Sequence, residues 1–406
     1  MKFKILLILF IFVFVPLIAQ NNWVEQNSGI TTTLYSVHFA DSLHGCAVGA
    51  LGEILTTEDG GENWQLQDSN TSSTLWGNFM LNQDICWAVG AGGTIMKSVD
   101  GGQNWTHQTS GTNLTLEYVY FQDENVGWVT GMSETVLKTT NGGLSWNSLN
   151  SGSAYTFYSA HIFEENHLMA CGSYGTLKES IDGGYNWNSL SPGTTENLYS
   201  ITFVDNYTGY IAGHGATLLK TESGGQFWNS YTIPSSISLR SITFPDAMNG
   251  YAVGNGGKVL ETVDGGNYWN IYTLDFNGQL WDVHFPDSNH GWLVGGGGYI
   301  YHKNVGYAVN LEPEDPVFSN YNIYPNPLNN NSRKLHISFN LKKPSQIQIS
   351  IHNIKGVLIS TVIEKDMESG KHTVKHDINN LVNGIYFVRV YLNGENHKVK
   401  KLVKLE

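Results

Sequence analysis

Tryptophan recurs every 41 residues through most of this chain: Trp23, Trp64, Trp105, Trp146, Trp187, Trp228 and Trp269. Glycine keeps the same step at Gly49, Gly90, Gly131, Gly172, Gly213, Gly254 and Gly295. Seven units of 41 residues cover Trp23 to Val309 with no insertion or deletion. A period held this strictly means one supersecondary unit stacked on copies of itself, which leaves solenoids, propellers and arrays as the possible folds.

The content of one unit decides among them. In the sixth, Leu239-Arg240-Ser241-Ile242-Thr243-Phe244 alternates as a strand and stops at Pro245-Asp246. Gly250-Tyr251-Ala252-Val253 is a second strand, ended by Gly254-Asn255-Gly256-Gly257. Lys258-Val259-Leu260-Glu261 is a third, and Asp264-Gly265-Gly266 turns into a fourth beginning at Trp269. Glycine supplies the backbone angles of the turns, and β-branched and aromatic residues fill the strands. Four short strands per 41 residues describe a propeller blade. The last unit has no Trp at Asn310, whereas Trp23-Val24-Glu25-Gln26 is a fourth strand with no blade of its own. The two are expected to pair and close a seven-bladed ring, removing the exposed sheet edges.

The turn before each Trp resembles the Asp-box (bacterial neuraminidase) repeat. It reads Thr57-Glu58-Asp59-Gly60-Gly61-Glu62-Asn63-Trp64 in the first full copy, and Asp100, Asp182 and Asp264 hold the acid's place in others. Asn141 and Ser223 replace it twice. These acids are expected to accept backbone N–H bonds and so to be structural. The longer phrase Gly-x-Ala-Val-Gly-x-x-Gly-x-Ile-x-x-Thr-x-Asp-Gly-Gly-x-x-Trp resembles the photosystem II stability/assembly factor family of seven-bladed propellers, over roughly residues 22 to 310. That family carries an arginine-lined basic patch. Here Arg240 is the one arginine of residues 21–320, which hold 7 Lys+Arg against 29 Asp+Glu, a balance of −22. The resemblance therefore implies architecture, and the acidic total argues against nucleic acid as a partner.

The two ends read differently. Lys2 and Lys4 before an apolar run from Ile5 to Val15, then Pro16-Leu17-Ile18-Ala19, form a secretory signal peptide over residues 1–19. No other stretch is expected to span a membrane, and the propeller follows over 20–310. After an acidic, Pro-containing linker at 311–320 the balance reverses, with 13 Lys+Arg against 6 Asp+Glu in residues 321–406. Six or seven short alternating runs there suggest an Ig-like β-sandwich, making the chain all-β. Tyr324-Pro325-Asn326-Pro327, the run from Gly384 through Tyr386 to Val390, and the Lys-rich last strand resemble the type A sorting domain of type IX secretion. The resemblance implies a Bacteroidota-type exporter, a type IX translocon as partner, and a secreted or cell-surface location reached through the periplasm.

For function, one repeat position stands out. The start of the first strand, innermost in a propeller, holds Tyr35, Trp76, Glu117, Tyr158, Tyr199, Arg240 and Trp281. Aromatic faces with one acid and one base suit a glycan or protein ligand, although packing between blades would use aromatics too. His214 and Asn255, in the turn after the second strand, are expected on the same face. No catalytic residue, cofactor or metal is assigned. A sialidase-type site needs three arginines, and Arg240 stands alone. The alternatives to a binding propeller are a glycoside hydrolase using paired acids from Glu117, Glu134 and Asp282, or an assembly factor-like chaperone. His38, His161 and His284 share one position in blades one, four and seven, so most are expected to lie far apart. Cys46, Cys86 and Cys171 read as buried thiols.

Overall fold

The computed structural model describes residues 22–149, 154–231, 233, 237–304, 318–326, 328, 333–353, 357–379, 381–393 and 395–404. The signal peptide, residues 311–317 of the linker, and Pro327 lie outside them. The chain divides into two compact units, Met1–Gly306 and Tyr307–Glu406.

Among the described residues the first unit holds seven four-stranded antiparallel sheets, each with its strands in chain order from the inside outward, except the last. In that sheet Trp23–Gln26 lies outermost, paired antiparallel with Ile300–Asn304 in the register Trp23 opposite Lys303 and Gln26 opposite Ile300. The ring is closed by the strand that the repeat left without a blade. Gln26 then reaches into blade one, donating through Nε2 to the Gly60 carbonyl at 2.9 Å and accepting from Trp64 Nε1 at 3.1 Å.

Each Asp-box turn is held by a short polar network. In blade two, Gly102 N donates to Ser98 Oγ at 2.9 Å, and Asn104 donates to both oxygens of Asp100 through its backbone and side-chain nitrogens. The side-chain bond from Asn104 is the main reason the Asp100 carboxyl sits below its ordinary range. Asp59 and Asp182 bind Asn63 and Asn186 in the same way, and Asp264 accepts from the backbone of Asn267 and Tyr268.

Blades pack through a second repeated device. The Phe that ends the first strand stacks on the second-strand aromatic of the preceding blade: Phe39 on Trp292, Phe121 on Trp87, Phe244 on Tyr210 and Phe285 on Tyr251, at 3.5 to 4.2 Å. The other face of the ring covers the glycine that opens its own second strand. A Cβ at Gly45 would lie 2.3 Å from the Phe39 ring, and Gly127, Gly209, Gly250 and Gly291 are as close to their own phenylalanines. Blades two and four lack the Phe, carrying Met80 and Ile162, and there the glycine is replaced by Cys86 and Leu168. All three cysteines are buried.

The second unit contains a three-stranded sheet (Phe318–Tyr324, Lys334–Leu341, Gly370–Asp377) and a four-stranded one ordered Leu358–Met367, Ser345–Asn353, Gly384–Leu392, Glu395–Lys404. Their alternating inward residues, among them Ile337, Phe339, Ile347, Ile349, Val388 and Val390, form one core. The first strand begins at Phe318, inside the segment read as linker. Of the sorting residues, Asn326 pins the last strand by donating to the Lys401 carbonyl at 2.8 Å and accepting from Val403 N at 3.0 Å. Tyr324 stacks on His336, Tyr386 donates to the Val382 carbonyl, and Gly384 pairs with Lys404. Among the described residues no helix is long and apolar enough to cross a membrane.

Candidate functional site

The innermost strand of every blade carries the same irregularity. Its pairing with the second strand skips one residue: Leu34 and Ser36 pair with Gly49 and Val48, leaving Tyr35 out of register. The same skip falls at Trp76, Glu117, Tyr158, Tyr199, Arg240 and Trp281. A β-bulge releases one residue from the ladder and re-aims it. Here it aims seven side chains into one cavity of about 490 Å³ on the ring axis.

Six of the seven form a continuous collar of tilted and edge-on contacts. Ring centroids are 5.2 Å apart for Tyr158–Tyr199, 4.9 Å for Trp281–Tyr35 and 4.2 Å for Tyr35–Trp76. The Arg240 guanidinium bridges the two groups, 4.1 Å from the Tyr199 centroid and 4.6 Å from that of Trp281. Glu117 occupies the gap at blade three. Burial pushes its carboxyl up to about 7, against the opposing pull of Arg240.

One residue deeper lies a polar belt that did not stand out from the repeat. The inner strand is an edge strand, so its outward N–H groups need partners from elsewhere. Side chains of the preceding blade supply them: Asn78 N donates to Ser36 Oγ, Ile201 N to Ser159 Oγ, Ile242 N to Ser200 Oγ, and Val37 N to Asp282 Oδ2. Asp282 also accepts from Ser36 Oγ, Ser241 Oγ and Val283 N at 2.8 to 3.0 Å. Burial raises its carboxyl, and these bonds oppose the rise. The signal for this belt was present as Ser36, Ser159, Ser200 and Ser241 in the column beside the aromatic one.

Deeper still, the histidines depart from the sequence reading. Ring closure makes blades seven and one neighbours, so His38 and His284 meet with centroids 4.0 Å apart. His284 Nδ1 accepts from Phe39 N and His38 Nδ1 from Met80 N. A ring accepting through Nδ1 carries its proton on Nε2, which leaves no lone pair facing the cavity for a metal. Burial holds His284 down to about 4, and burial followed by His284 holds His38 well below its ordinary value. His44 and His290 pair instead with Asp41 and Asp287, and His167 with Glu179. Among the described residues no group of three or more potential ligands could hold a metal.

His214 and Asn255 are not among the cavity's lining residues. Asn255 Oδ1 accepts from Ser238 N at 2.7 Å, and exposed His214 pairs with Glu196 at 2.6 Å. Glu134 is buried against Lys178 at 2.6 Å, also outside the cavity.

Residues 15–114, 70–153 and 221–307, together more than half of the chain, match the family described as photosynthesis system II assembly factor YCF48. Residues 322–405 match the secretion system C-terminal sorting domain. Similar solved structures include YCF48 bound to D1 peptide, at 17% identity and TM-score 0.62, covering 70% of this chain and 96% of that one. YCF48 from Cyanidioschyzon merolae is 20% identical with TM-score 0.59, covering 70% and 99%. The WD40 propeller domain of Doa1 is 14% identical with TM-score 0.56, covering 70% and 97%. These likenesses show the propeller fold. No curated protein matches the chain.

Proposed function

Because the chain belongs to the photosynthesis system II assembly factor YCF48 family and ends in a secretion sorting domain, we propose that it is an exported propeller that binds a ligand at its channel mouth. Residues 1–19 act as signal peptide and residues 321–406 engage the type IX translocon, which carries the propeller to the cell surface or beyond. The bulge column carries the binding reading. Seven residues are released from the ladder around an open cavity, six of them in a continuous collar of contacts, where aliphatic side chains would have sufficed for packing. A relative's structure with a D1 peptide shows that a propeller of this family can hold a partner.

Nothing favours the hydrolase alternative. The carboxylates lining the cavity are Glu117 and Asp282, and hydrolysis needs two free ones. Asp282, with four donors on its oxygens, is committed to joining blades one, six and seven.

The test is an array of neutral and acidic glycans probed with the purified full chain and with Trp76→Ala and Trp281→Ala. Mouth anchors should lose about 1–3 kcal/mol of binding per side chain while melting near the parent temperature. A loss of about 3–5 kcal/mol in stability for each would return the collar to the scaffold and refute the reading.

A further inference from the structure

Arg240 has no anion of its own. Its Nε is buried without a hydrogen-bond partner, and its guanidinium is held only between the faces of Tyr199 and Trp281. Lysine ion pairs of the propeller lie elsewhere, at Lys138–Glu165, Lys178–Glu134, Lys220–Glu222 and Lys303–Glu261. Of the two cavity acids, Asp282 is saturated with donors, and Glu117 feels Arg240 only at a distance. A half-buried cation with its Nε unsatisfied and no counter-ion in contact is a ready site for an anion brought by a ligand. The planar fork of guanidinium donors matches a carboxylate.

The surroundings define the rest of that ligand. The collar column and the column beside it, Ser36, Gly77, Tyr118, Ser159, Ser200, Ser241 and Asp282, hold no aliphatic side chain, and the valines and isoleucines that also line the cavity belong to the next column. They present the rings of Tyr35, Trp76 and Trp281, the phenols of Tyr158 and Tyr199, and below them serine hydroxyls. Flat apolar faces edged by hydroxyls suit a pyranose, which has an apolar C–H face and polar rim. A peptide tail would instead need free backbone partners for its amides. At this level Val37, Asn78, Ile201 and Ile242 already spend their N–H groups on the belt. Net charge excludes a polyanion, because residues 21–320 carry 29 acidic against 7 basic groups and repel repeated negative charge.

The geometry points to the mouth as a receptor for one terminal uronic acid on an otherwise neutral glycan. Arg240 holds the carboxylate while Tyr35, Trp76 and Trp281 stack on the sugar. Glu117, partly protonated near neutral pH, can donate to a sugar hydroxyl across the cavity. This rests on the reading of the mouth as a binding surface.

Calorimetric titration of the full chain separates the two. The probes are a glucuronic acid-terminated neutral oligosaccharide, its methyl ester, polygalacturonate, and a hexapeptide with a free carboxylate. The ester should bind about 10–100-fold more weakly than the acid. Arg240→Gln should weaken the acid by a similar factor and leave the ester unchanged, with Arg240→Lys in between. Equal binding of acid and ester to the parent protein overturns the inference, a result that does not depend on any variant folding. So does tighter binding of polygalacturonate or of the peptide, or no binding by the acid-terminated sugar. A glycan from the array that needs Trp76 but ignores its own carboxylate would leave the mouth a binding surface and remove only the acid.

Discussion

Removing the indole of Trp23 should open the ring. Trp23 is 5% exposed and lies edge-on to Tyr251 and Phe285, with centroids 6.2 and 5.9 Å away. Its Nε1 donates to the Tyr272 hydroxyl at 2.9 Å, and Lys303 Nζ sits 5.8 Å over its ring. Truncating a buried Trp to Ala costs about 3–5 kcal/mol. At about 2–4 °C per kcal/mol for a domain of this size class, Trp23→Ala should lower the melting temperature by about 6–20 °C. Val24, on the same strand but 67% exposed, is the control, and Val24→Ala should melt with the parent. The transition is followed by tryptophan fluorescence or circular dichroism on the full chain. Gel filtration should also show the variant associating, since a loosened closing strand bares the edge of Ile300–Asn304. If Trp23→Ala melts within about 2 °C of the parent, the strand is an ornament on an already stable ring and the closure argument fails.

Stability should fall as pH drops from about 6.5 toward 4. His161, His284 and His302 are held to about 4 mainly by burial, and His38 lies well below its ordinary value, so across that window the unfolded chain binds about four more protons. Glu117, raised to about 7, and Asp282, also raised by burial, bind more protons when folded and oppose the trend, so the four histidines outweigh two carboxyls and the fall remains. Glu117→Gln should steepen the fall, and a melting temperature that does not change down to about pH 5 would refute the assignment. At the blade seam, Gly45→Ala should cost about 1–3 kcal/mol by thermal melt, because its Cβ would lie 2.3 Å from a Phe39 ring already stacked on Trp292. Adopting blade two's pair, Phe39→Met with Gly45→Cys, should recover part of that loss, and a double variant worse than the single one would break the pairing argument.

Much of the fold was legible because the repeat aligns the chain with itself. Seven copies in one phase expose strand order, turns and the unpaired ends without reference to another protein. The collar was legible for the same reason, as a column of unusual composition. What the repeat hides is any contact between columns. Ser36 reads as an ordinary strand residue until it is seen to accept a hydrogen bond from the next blade's Asn78. His38 and His284 stand 246 positions apart in the chain and touch only because the ring closes. The strand Phe318–Tyr324 begins two residues after Pro316, where local composition favours a loop and tertiary packing supplies the strand.

A residue outside the ladder is also outside the constraints of the ladder. Leu34 and Ser36 must satisfy their partners across the sheet, but Tyr35 answers to no register. The same place tolerates Trp, Glu and Arg elsewhere in the ring with no change in the flanking pairs. Seven such places around one axis amount to a short text that can be rewritten letter by letter while the grammar of the blades stays intact. A lineage can therefore exchange the side chains at the mouth without refolding the protein. Under the binding role proposed above, sorting these propellers by their seven bulge residues should separate ligand preferences that overall identity blurs.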